Sequence, residues 1–150
     1  MRIIIQRVSE ASVTIDHQIK SSIEKGFLIL LGITHEDTHE DIDWLTNKIV
    51  GLRIFSDENG AMNLSLNDVD GDVLVISQFT LHASTKKGNR PSFLEAARPE
   101  QAIPLYEEFV NTLSRKLTKK VYTGEFGADM KVRLLNDGPV TITIDSKNKQ

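Results

Sequence analysis

Apolar residues recur with two different periods along the chain, and these periods separate strands from helices. Phe27 to Ile33 is almost entirely apolar over the length of a strand, and Val73 to Ile76 is a second such run. Runs of this kind are typical of strands buried on both faces. Near the end of the chain, Val140, Ile142 and Ile144 alternate with polar neighbours. That alternation predicts a strand with one apolar face.

The first fifteen residues also favour extended structure. Ile3 to Ile5 are β-branched and predict an opening strand, and Val13 to Ile15 predict its continuation after a bend near Glu10. The sequence SDENG at Ser56 to Gly60 is typical of a turn between short strands.

Two segments in the middle of the chain have helical spacing. In residues 38–54, Thr38 is a candidate N-cap with Asp41 as its capping-box partner. Residues 99–117 form the second segment, and Pro104 fits it only near the helix start or at a kink. The apolar positions of the first segment recur at steps of three and four: Ile42, Leu45, Ile49 and Leu52.

The order of strands and helices predicts a fold class. Strands at both ends and two main helices between them favour an α/β or α+β domain around a mixed, partly barrel-like sheet. The length of 150 residues suits a single domain, residues 1–150.

Composition and charge exclude several classes of function. With no cysteine, the chain has no disulfide, no thiolate nucleophile and no cysteine metal ligand. The opening apolar run is too short for a signal-peptide core, and no stretch approaches the 18 apolar residues of a membrane span. A net charge of -3 argues against a broad basic face for nucleic acid, although a partner bound at a few phosphates is compatible with it.

One short segment matches a zinc-peptidase motif. His35, Glu36 and His39 fit the pattern H-E-x-x-H, which needs two imidazoles one helical turn apart and a third ligand. The segment lies between a predicted strand and a predicted helix start among polar residues, and His82 is the only later histidine that could complete a site. An acidic, solvated loop without metal is the favoured interpretation.

A Thr-His pair is a second candidate for hydrolytic chemistry. Thr80 and His82 would face the same side of an extended strand. The chain has no G-x-S-x-G motif. Both interpretations, a catalytic pair and two residues that line a sheet face, stay open at this point.

Two polar segments stand out beside predicted strands. SQFTL, at Ser77 to Leu81, places polar donors and acceptors where a buried strand leaves the core. NDGPVT, at Asn136 to Thr141, has turn chemistry, and its Gly-Pro bond permits a cis form. A tight turn and a functional dipeptide are both compatible with the second segment.

These two segments together resemble the D-aminoacyl-tRNA deacylase family. SQFTL and NDGPVT match the two motifs of that family in order and separation, and MRIIIQRVSEASVTID, GFLILLGITHEDT and KGNRPSF are similar to its other segments. The resemblance covers the whole chain. It implies a cytoplasmic homodimer that needs no metal or cofactor and hydrolyses the ester between a D-amino acid and the 3′-terminal adenosine of tRNA.

The resemblance also implies roles for individual residues. Gly138 and Pro139 would be a Gly-cisPro dipeptide that enters the pocket of the partner subunit, where its carbonyls reject an L side chain. Arg7 would anchor that dipeptide by hydrogen bonds. An L-rejecting pocket of this kind should admit glycyl-tRNA as well.

The pocket floor is expected to come from the first motif. The implied catalytic residues are Ser77, Gln78, Phe79 and Thr80, and Leu81 and Met130 are implied to bind the substrate. The Phe79 N–H would act as an oxyanion donor, and the ribose 2′-hydroxyl would assist a water instead of a side-chain nucleophile.

Contact with the rest of the tRNA is expected to be slight. Lys86, Lys87 and Arg90 are the predicted tRNA contacts, because they lie in a glycine-containing loop just after a buried strand. The alternative function is a non-catalytic module of the same fold that binds RNA 3′ ends.

Overall fold

The computed structural model describes residues 1–150, and eleven elements follow one another along the chain. They are β1 (Arg2–Ile15), β2 (Gln18–Ile23), β3 (Gly26–Gly32), α1 (His39–Gly51), β4 (Phe55–Ser56), β5 (Met62–Leu64), β6 (Asp72–Ser77), a 3-10 turn (Phe79–His82), α2 (Pro99–Leu117), β7 (Tyr122–Thr123) and β8 (Lys131–Asp145). Neither helix is long and apolar enough to cross a membrane.

Strand β1 is the centre of a mixed six-stranded sheet. It pairs antiparallel with β8 along one edge, and with β3 and then β2 along the other edge. β3 continues the sheet in parallel to β6, and β6 in parallel to β7. The hairpin of β4 and β5 stands apart. The mixed, partly barrel-like sheet with two helices confirms the predicted fold class.

The sheet has a core on each face. The larger core holds 23 buried residues and joins alternate residues of the strands, among them Phe27, Ile29 and Leu31, to both helices. The smaller core holds seven residues, including Leu28, Leu74 and Ile76. The two cores explain why β3 and β6 are apolar without alternation, because both faces of these strands are buried.

Helix α1 begins at the predicted cap. The Thr38 hydroxyl accepts a hydrogen bond from the Glu40 N–H, and the Thr38 N–H donates to Asp41 Oδ2 at 2.8 Å. This is the expected capping box. The helix ends at Gly51, three residues before the predicted end, because Leu52 has an extended backbone.

Helix α2 has the predicted bounds of residues 99–117. Pro99 occupies the first turn, where the missing N–H costs nothing. Pro104 lies inside the helix, five residues after its first residue. The sequence predicted that this proline would fit only near the helix start or at a kink.

The first strand differs in one respect from its prediction. Ile3 to Ile5 and Val13 to Ile15 belong to one continuous strand, and the expected bend appears as register shifts against β8 between Gln6 and Val8 and between Val8 and Glu10. Irregular pairing of this kind lets a strand curl without breaking.

Candidate active site

The first polar segment follows β6 at the edge where the parallel strands end. Ser77 is the last residue of β6 and pairs with Leu31 of β3. The Gln78 N–H then donates to the Leu31 carbonyl at 2.8 Å. Polar side chains are therefore held at the carboxyl ends of β3 and β6, the usual place for a ligand site in a parallel sheet.

Gly32 lets the 3-10 turn approach β3 closely. A Cβ atom at this position would lie 2.9 Å from Leu81 Cβ and 3.1 Å from the Gln78 carbonyl oxygen. A larger residue would push the turn away from the sheet. The absence of a side chain at Gly32 thus fixes where Gln78 and Phe79 stand.

A cavity of about 270 Å³ opens beside the end of β6. Its wall is mainly apolar, with polar groups from β6 and from the segment that precedes β8. The lining residues are Leu31, Ile33, Ile76, Ser77, Gln78, Phe79, Ala97, Ala102, Phe126, Gly127, Ala128, Asp129, Met130 and Val132. An apolar cavity with a few convergent polar groups suits a small organic ligand.

The cavity brings together four of the predicted site residues. Ser77, Gln78, Phe79 and Met130 line it. Thr80 does not line it, but its hydroxyl accepts a hydrogen bond from the Gln78 side-chain amide. Leu81 also lies outside the lining, and its carbonyl accepts from Arg2 Nη1 at 2.7 Å. Both residues lie in the 3-10 turn that begins at Phe79.

The predicted geometry of the Thr80–His82 pair is wrong. Residues 79–82 form a 3-10 turn, not an extended strand, so alternate residues do not share a side. His82 is buried and its Nε2 has no hydrogen-bond partner, whereas Thr80 is exposed. Burial lowers the pKa of His82 below its usual value, although the Gly32 backbone partly opposes this.

The second polar segment forms a bulge inside β8. Gln6 pairs with Thr141 and Val8 pairs with Asn136, so four residues of β8, 137–140, lie opposite the single residue Arg7. Asn136 closes the bulge, since its Oδ1 accepts from the Val140 N–H at 2.8 Å and its Nδ2 donates to Thr141 Oγ1 at 2.9 Å. The motif therefore interrupts a strand instead of only starting one.

Arg7 holds this bulge from beneath. Its Nε donates to the Asp137 carbonyl at 2.9 Å and its Nη1 to the Ile54 carbonyl at 2.6 Å. The Arg7 side chain is buried, and its hydrogen bond to the Ile54 carbonyl is shielded from water. Arg7 thus binds the backbone of the residue that precedes Gly138.

Gly138 and Pro139 form the exposed tip of the bulge. The peptide bond between them is cis, and Gly138 has a φ of 144°, a backbone conformation that L side chains rarely adopt. Neither residue lines the cavity of its own chain. The buried Val140 side chain fixes the base of the tip in the main core.

The basic loop follows the 3-10 turn along the chain. Ser84 and Ser92 exchange two backbone hydrogen bonds, of 2.8 and 2.9 Å, and close a loop that carries Lys86, Lys87 and Arg90. All three side chains are exposed. The loop does not line the cavity.

The H-E-x-x-H match does not have the helical spacing that it needs. His35 lies in a turn with its Nε2 3.1 Å from the Leu94 carbonyl, and His39 is the first residue of α1, with its Nδ1 2.5 Å from Glu108 Oε1. The two imidazoles therefore belong to different elements and have different partners.

Several site residues were absent from the sequence-based set. Ala97, Phe126 and Asp129 line the cavity, and Asn136 closes the bulge. Asn136 is part of the NDGPVT motif and was within reach of sequence reasoning. The other three come from loops that no local pattern links to β6.

Comparison with known proteins gives a family match and full-length relatives. A family model described as D-Tyr-tRNA(Tyr) deacylase matches residues 4–145. The chain is 69% identical to a D-aminoacyl-tRNA deacylase of Bacteroides fragilis and 65% identical to one of Flavobacterium johnsoniae, in each case over all 150 residues and the full length of both chains.

Solved structures give the same fold. A structure described as c-Myc DNA Unwinding Element Binding Protein is 40% identical, with a TM-score of 0.90 over 97% of this chain and 98% of that one. A probable eukaryotic D-amino acid tRNA deacylase superposes with a TM-score of 0.83 at 15% identity, over 95% of this chain and 97% of that one, and so supports the fold alone. On the family match and the full-length identities, the chain belongs to the D-Tyr-tRNA(Tyr) deacylase family, a family of hydrolases.

Proposed function

We propose that this protein hydrolyses the ester bond between a D-amino acid and the 3′-terminal adenosine of tRNA. The observation that carries the proposal is the cavity of about 270 Å³ at the end of β6, with Ser77, Gln78 and Phe79 on its wall. Its size and mainly apolar lining suit an aminoacyl group together with part of a nucleoside. Full-length identity to D-aminoacyl-tRNA deacylases supports the same substrate.

Substrate contacts follow from the lining. Met130 packs beside the adenine, and Ser77 and Gln78 supply polar contacts to the ribose or the ester. The Phe79 N–H donates to the ester carbonyl oxygen as negative charge develops there. Its position supports this role, because Phe79 opens the 3-10 turn and the first N–H groups of a helix have no partner within it.

The reaction needs no side-chain nucleophile. The Thr80 hydroxyl accepts from Gln78, and His82 is buried in the 3-10 turn, so no general base activates Thr80. We therefore assign the assisting group to the 2′-hydroxyl of the substrate ribose. It helps a water molecule to attack the ester carbon, while the protein orients the ester and stabilises the oxyanion.

Chirality is set by the tip of the β8 bulge in a homodimer. Gly138 and Pro139 of one subunit enter the cavity of the other, and their carbonyls occupy the side on which an L side chain would lie. The exposure of the tip and the two hydrogen bonds of Arg7 beneath it support this arrangement. Because the tip excludes a side chain instead of binding one, glycyl-tRNA is also a substrate.

The rest of the tRNA makes few contacts. Lys86, Lys87 and Arg90 are exposed on the loop beyond the 3-10 turn, and we assign the phosphate contacts to them. The proposed place of action is the cytoplasm, where aminoacyl-tRNA is used, and a chain without cysteine fits that reducing compartment.

A second function follows from one comparison. The 40% identical structure carries the name of a DNA-binding protein. We keep as the alternative a non-catalytic module of the same fold that binds RNA 3′ ends, since this name shows nucleic-acid binding by a protein of similar sequence.

Paired deacylation tests these proposals. Purified protein is incubated with D-tyrosyl-tRNA, L-tyrosyl-tRNA or glycyl-tRNA in the presence of EDTA. Rapid loss of the D and glycyl esters with the L ester intact is the expected result. Loss of the L ester at the same rate would contradict the role of Gly138 and Pro139, and stability of all three esters would favour the binding module.

A further inference from the structure

Two aromatic rings stand exposed just outside the cavity. Phe79 is 54% exposed and Phe93 39% exposed, and their rings meet edge to face with centroids 5.1 Å apart. Leu94, 84% exposed, follows directly. Clustered apolar side chains at the surface are typical of an interaction site.

This aromatic pair is continuous with the cavity. Phe79 belongs to both, because it lines the cavity and contacts Phe93. A ligand whose end occupies the cavity and which continues outward on this side therefore passes over the ring of Phe93.

Positive charge lies next to the aromatic pair. Phe93 follows directly after Ser92, which closes the loop that carries Lys86, Lys87 and Arg90. None of these three cations forms a salt bridge. In a chain of net charge -3, a loop with three positive charges, none of them in a salt bridge, is a local exception, although Glu95 lines the same surface cleft as Lys86 and Lys87.

We propose that Phe93 is a stacking residue for the unpaired nucleotides that precede the 3′-terminal adenosine of tRNA. Proteins that bind single-stranded nucleic acid combine aromatic rings for the bases with cations for the backbone, and Phe93 with the basic loop has both parts. The inference rests on the proposed deacylase function and adds a binding residue to it. Since stacking tolerates any base, the platform recognises an unpaired end without regard to the body of the tRNA.

A polynucleotide fits this surface better than the other possible occupants. An apolar peptide would leave the three cations without partners. A single strand of RNA supplies phosphates to the loop and bases to the ring in alternation.

Two esters separate this role from the chemistry at the cavity. D-tyrosyl-tRNA has the unpaired nucleotides and D-tyrosyl-adenosine lacks them. We expect Phe93→Leu to lower kcat/KM for the tRNA ester roughly tenfold more than for the adenosine ester, mainly through KM, as loss of one stacked base implies. Phe93→Tyr retains the ring and restores the wild-type ratio. Met62→Ala, at an exposed apolar position on β5, is the control.

A second experiment measures binding alone and therefore does not depend on turnover. Fluorescence anisotropy with an unesterified single strand that ends in CCA should show weaker binding by Phe93→Leu than by wild type or Phe93→Tyr. If wild type hydrolyses neither ester, the proposed function fails, and the anisotropy alone decides the inference. Equal effects of Phe93→Leu on both esters, or unchanged anisotropy, would overturn it. So would a changed molecular mass of the variant in solution, because Phe93 would then belong to an interface between copies.

Discussion

Arg7 and Gly138 determine together where the exposed tip of β8 is held. Arg7 fixes the Asp137 carbonyl from below, and the missing side chain of Gly138 leaves room for that contact. A Cβ at Gly138 would lie 2.7 Å from Val140 Cγ2 and 3.1 Å from Arg7 Nη2. The positive φ adds a backbone penalty for any L residue.

Gly138→Ala should therefore move the tip. Because the new methyl group has to displace either Val140 or Arg7, we expect the ratio of kcat/KM for D-tyrosyl-tRNA to that for L-tyrosyl-tRNA to fall at least tenfold. Both rates are measured by deacylation of labelled tRNA. Circular dichroism shows whether the sheet is retained.

Gly60→Ala is a matched control for this change. Gly60 has a φ of 80°, and a Cβ there would meet nothing within 4 Å. The Gly60→Ala change introduces similar backbone strain in the β4–β5 hairpin, away from the tip of the β8 bulge. An equal loss of chiral ratio in both variants would show that general destabilisation, not the position of the tip, causes the effect.

Helix α1 is stabilised at its first turn by a buried carboxylate. Asp41 closes the capping box and also accepts hydrogen bonds from Ser146 Oγ at 2.6 Å and Lys147 Nζ at 2.9 Å. Burial alone would raise the pKa of Asp41, but the hydrogen bonds from Ser146, the Thr38 backbone and Lys147 outweigh it and lower the pKa to about 2. The ionised Asp41 carboxylate thereby connects the first turn of α1 to Ser146 and Lys147.

Asp41→Asn should lower the free energy of unfolding by an amount that depends on pH. The folded chain favours the carboxylate, so its stabilisation is fully present above the unfolded value of 3.8 and is lost as the pH falls towards about 2. The difference corresponds to about 2 kcal/mol at pH 7. Urea unfolding, followed by the fluorescence of Trp44 at a fixed protein concentration, measures it at pH 7, 5, 3 and 2.

Asp43→Asn, on the same helix, is the control variant for Asp41→Asn. Asp43 pairs with Lys116 at 2.6 Å but is 68% exposed, and exposed ion pairs contribute less than about 1 kcal/mol. A difference between wild type and Asp41→Asn that stays constant from pH 7 to pH 2 would contradict the assignment to Asp41.

Local patterns were sufficient for some elements and not for others. The bounds of α2 and the capping box of α1 follow from caps, prolines and helical spacing, which act within a few residues. The bulge at 137–140 and the 3-10 turn at 79–82 depend on what lies beneath them, Arg7 and Gly32. These two supports are distant in sequence, so local patterns predicted a tight turn at the start of a strand for residues 136–141 and an extended segment for Thr80 and His82, but neither the bulge nor the 3-10 turn.

The candidate site also has one part that lies in local motifs and another part that only the tertiary structure brings together. The motifs SQFTL and NDGPVT contain Ser77, Gln78 and Phe79, which line the cavity, and Gly138 and Pro139, which form the tip of the β8 bulge. Phe126 and Asp129 join the cavity only because the segment after β7 returns to the end of β6. Closure of a site by separate loops is a tertiary property that the sequence of each loop does not reveal.

The distribution of charge over the whole molecule predicts how binding responds to salt. A net charge of -3 gives no long-range attraction to tRNA, and the proposed phosphate contacts are those of Lys86, Lys87 and Arg90. Three contacts on a single strand give a slope of about -2 for log K against log salt, or a loss of roughly twentyfold in affinity between 50 and 200 mM salt. Each change of one of these residues to Ala should flatten the slope by about 0.7, whereas Lys20→Ala, an exposed cation on β2, should leave it unchanged. Titration of labelled tRNA at four salt concentrations measures the slope. A value near -6 would mean that a second, larger set of cations contacts the tRNA body, and a basic loop of three residues would then be too small to account for binding.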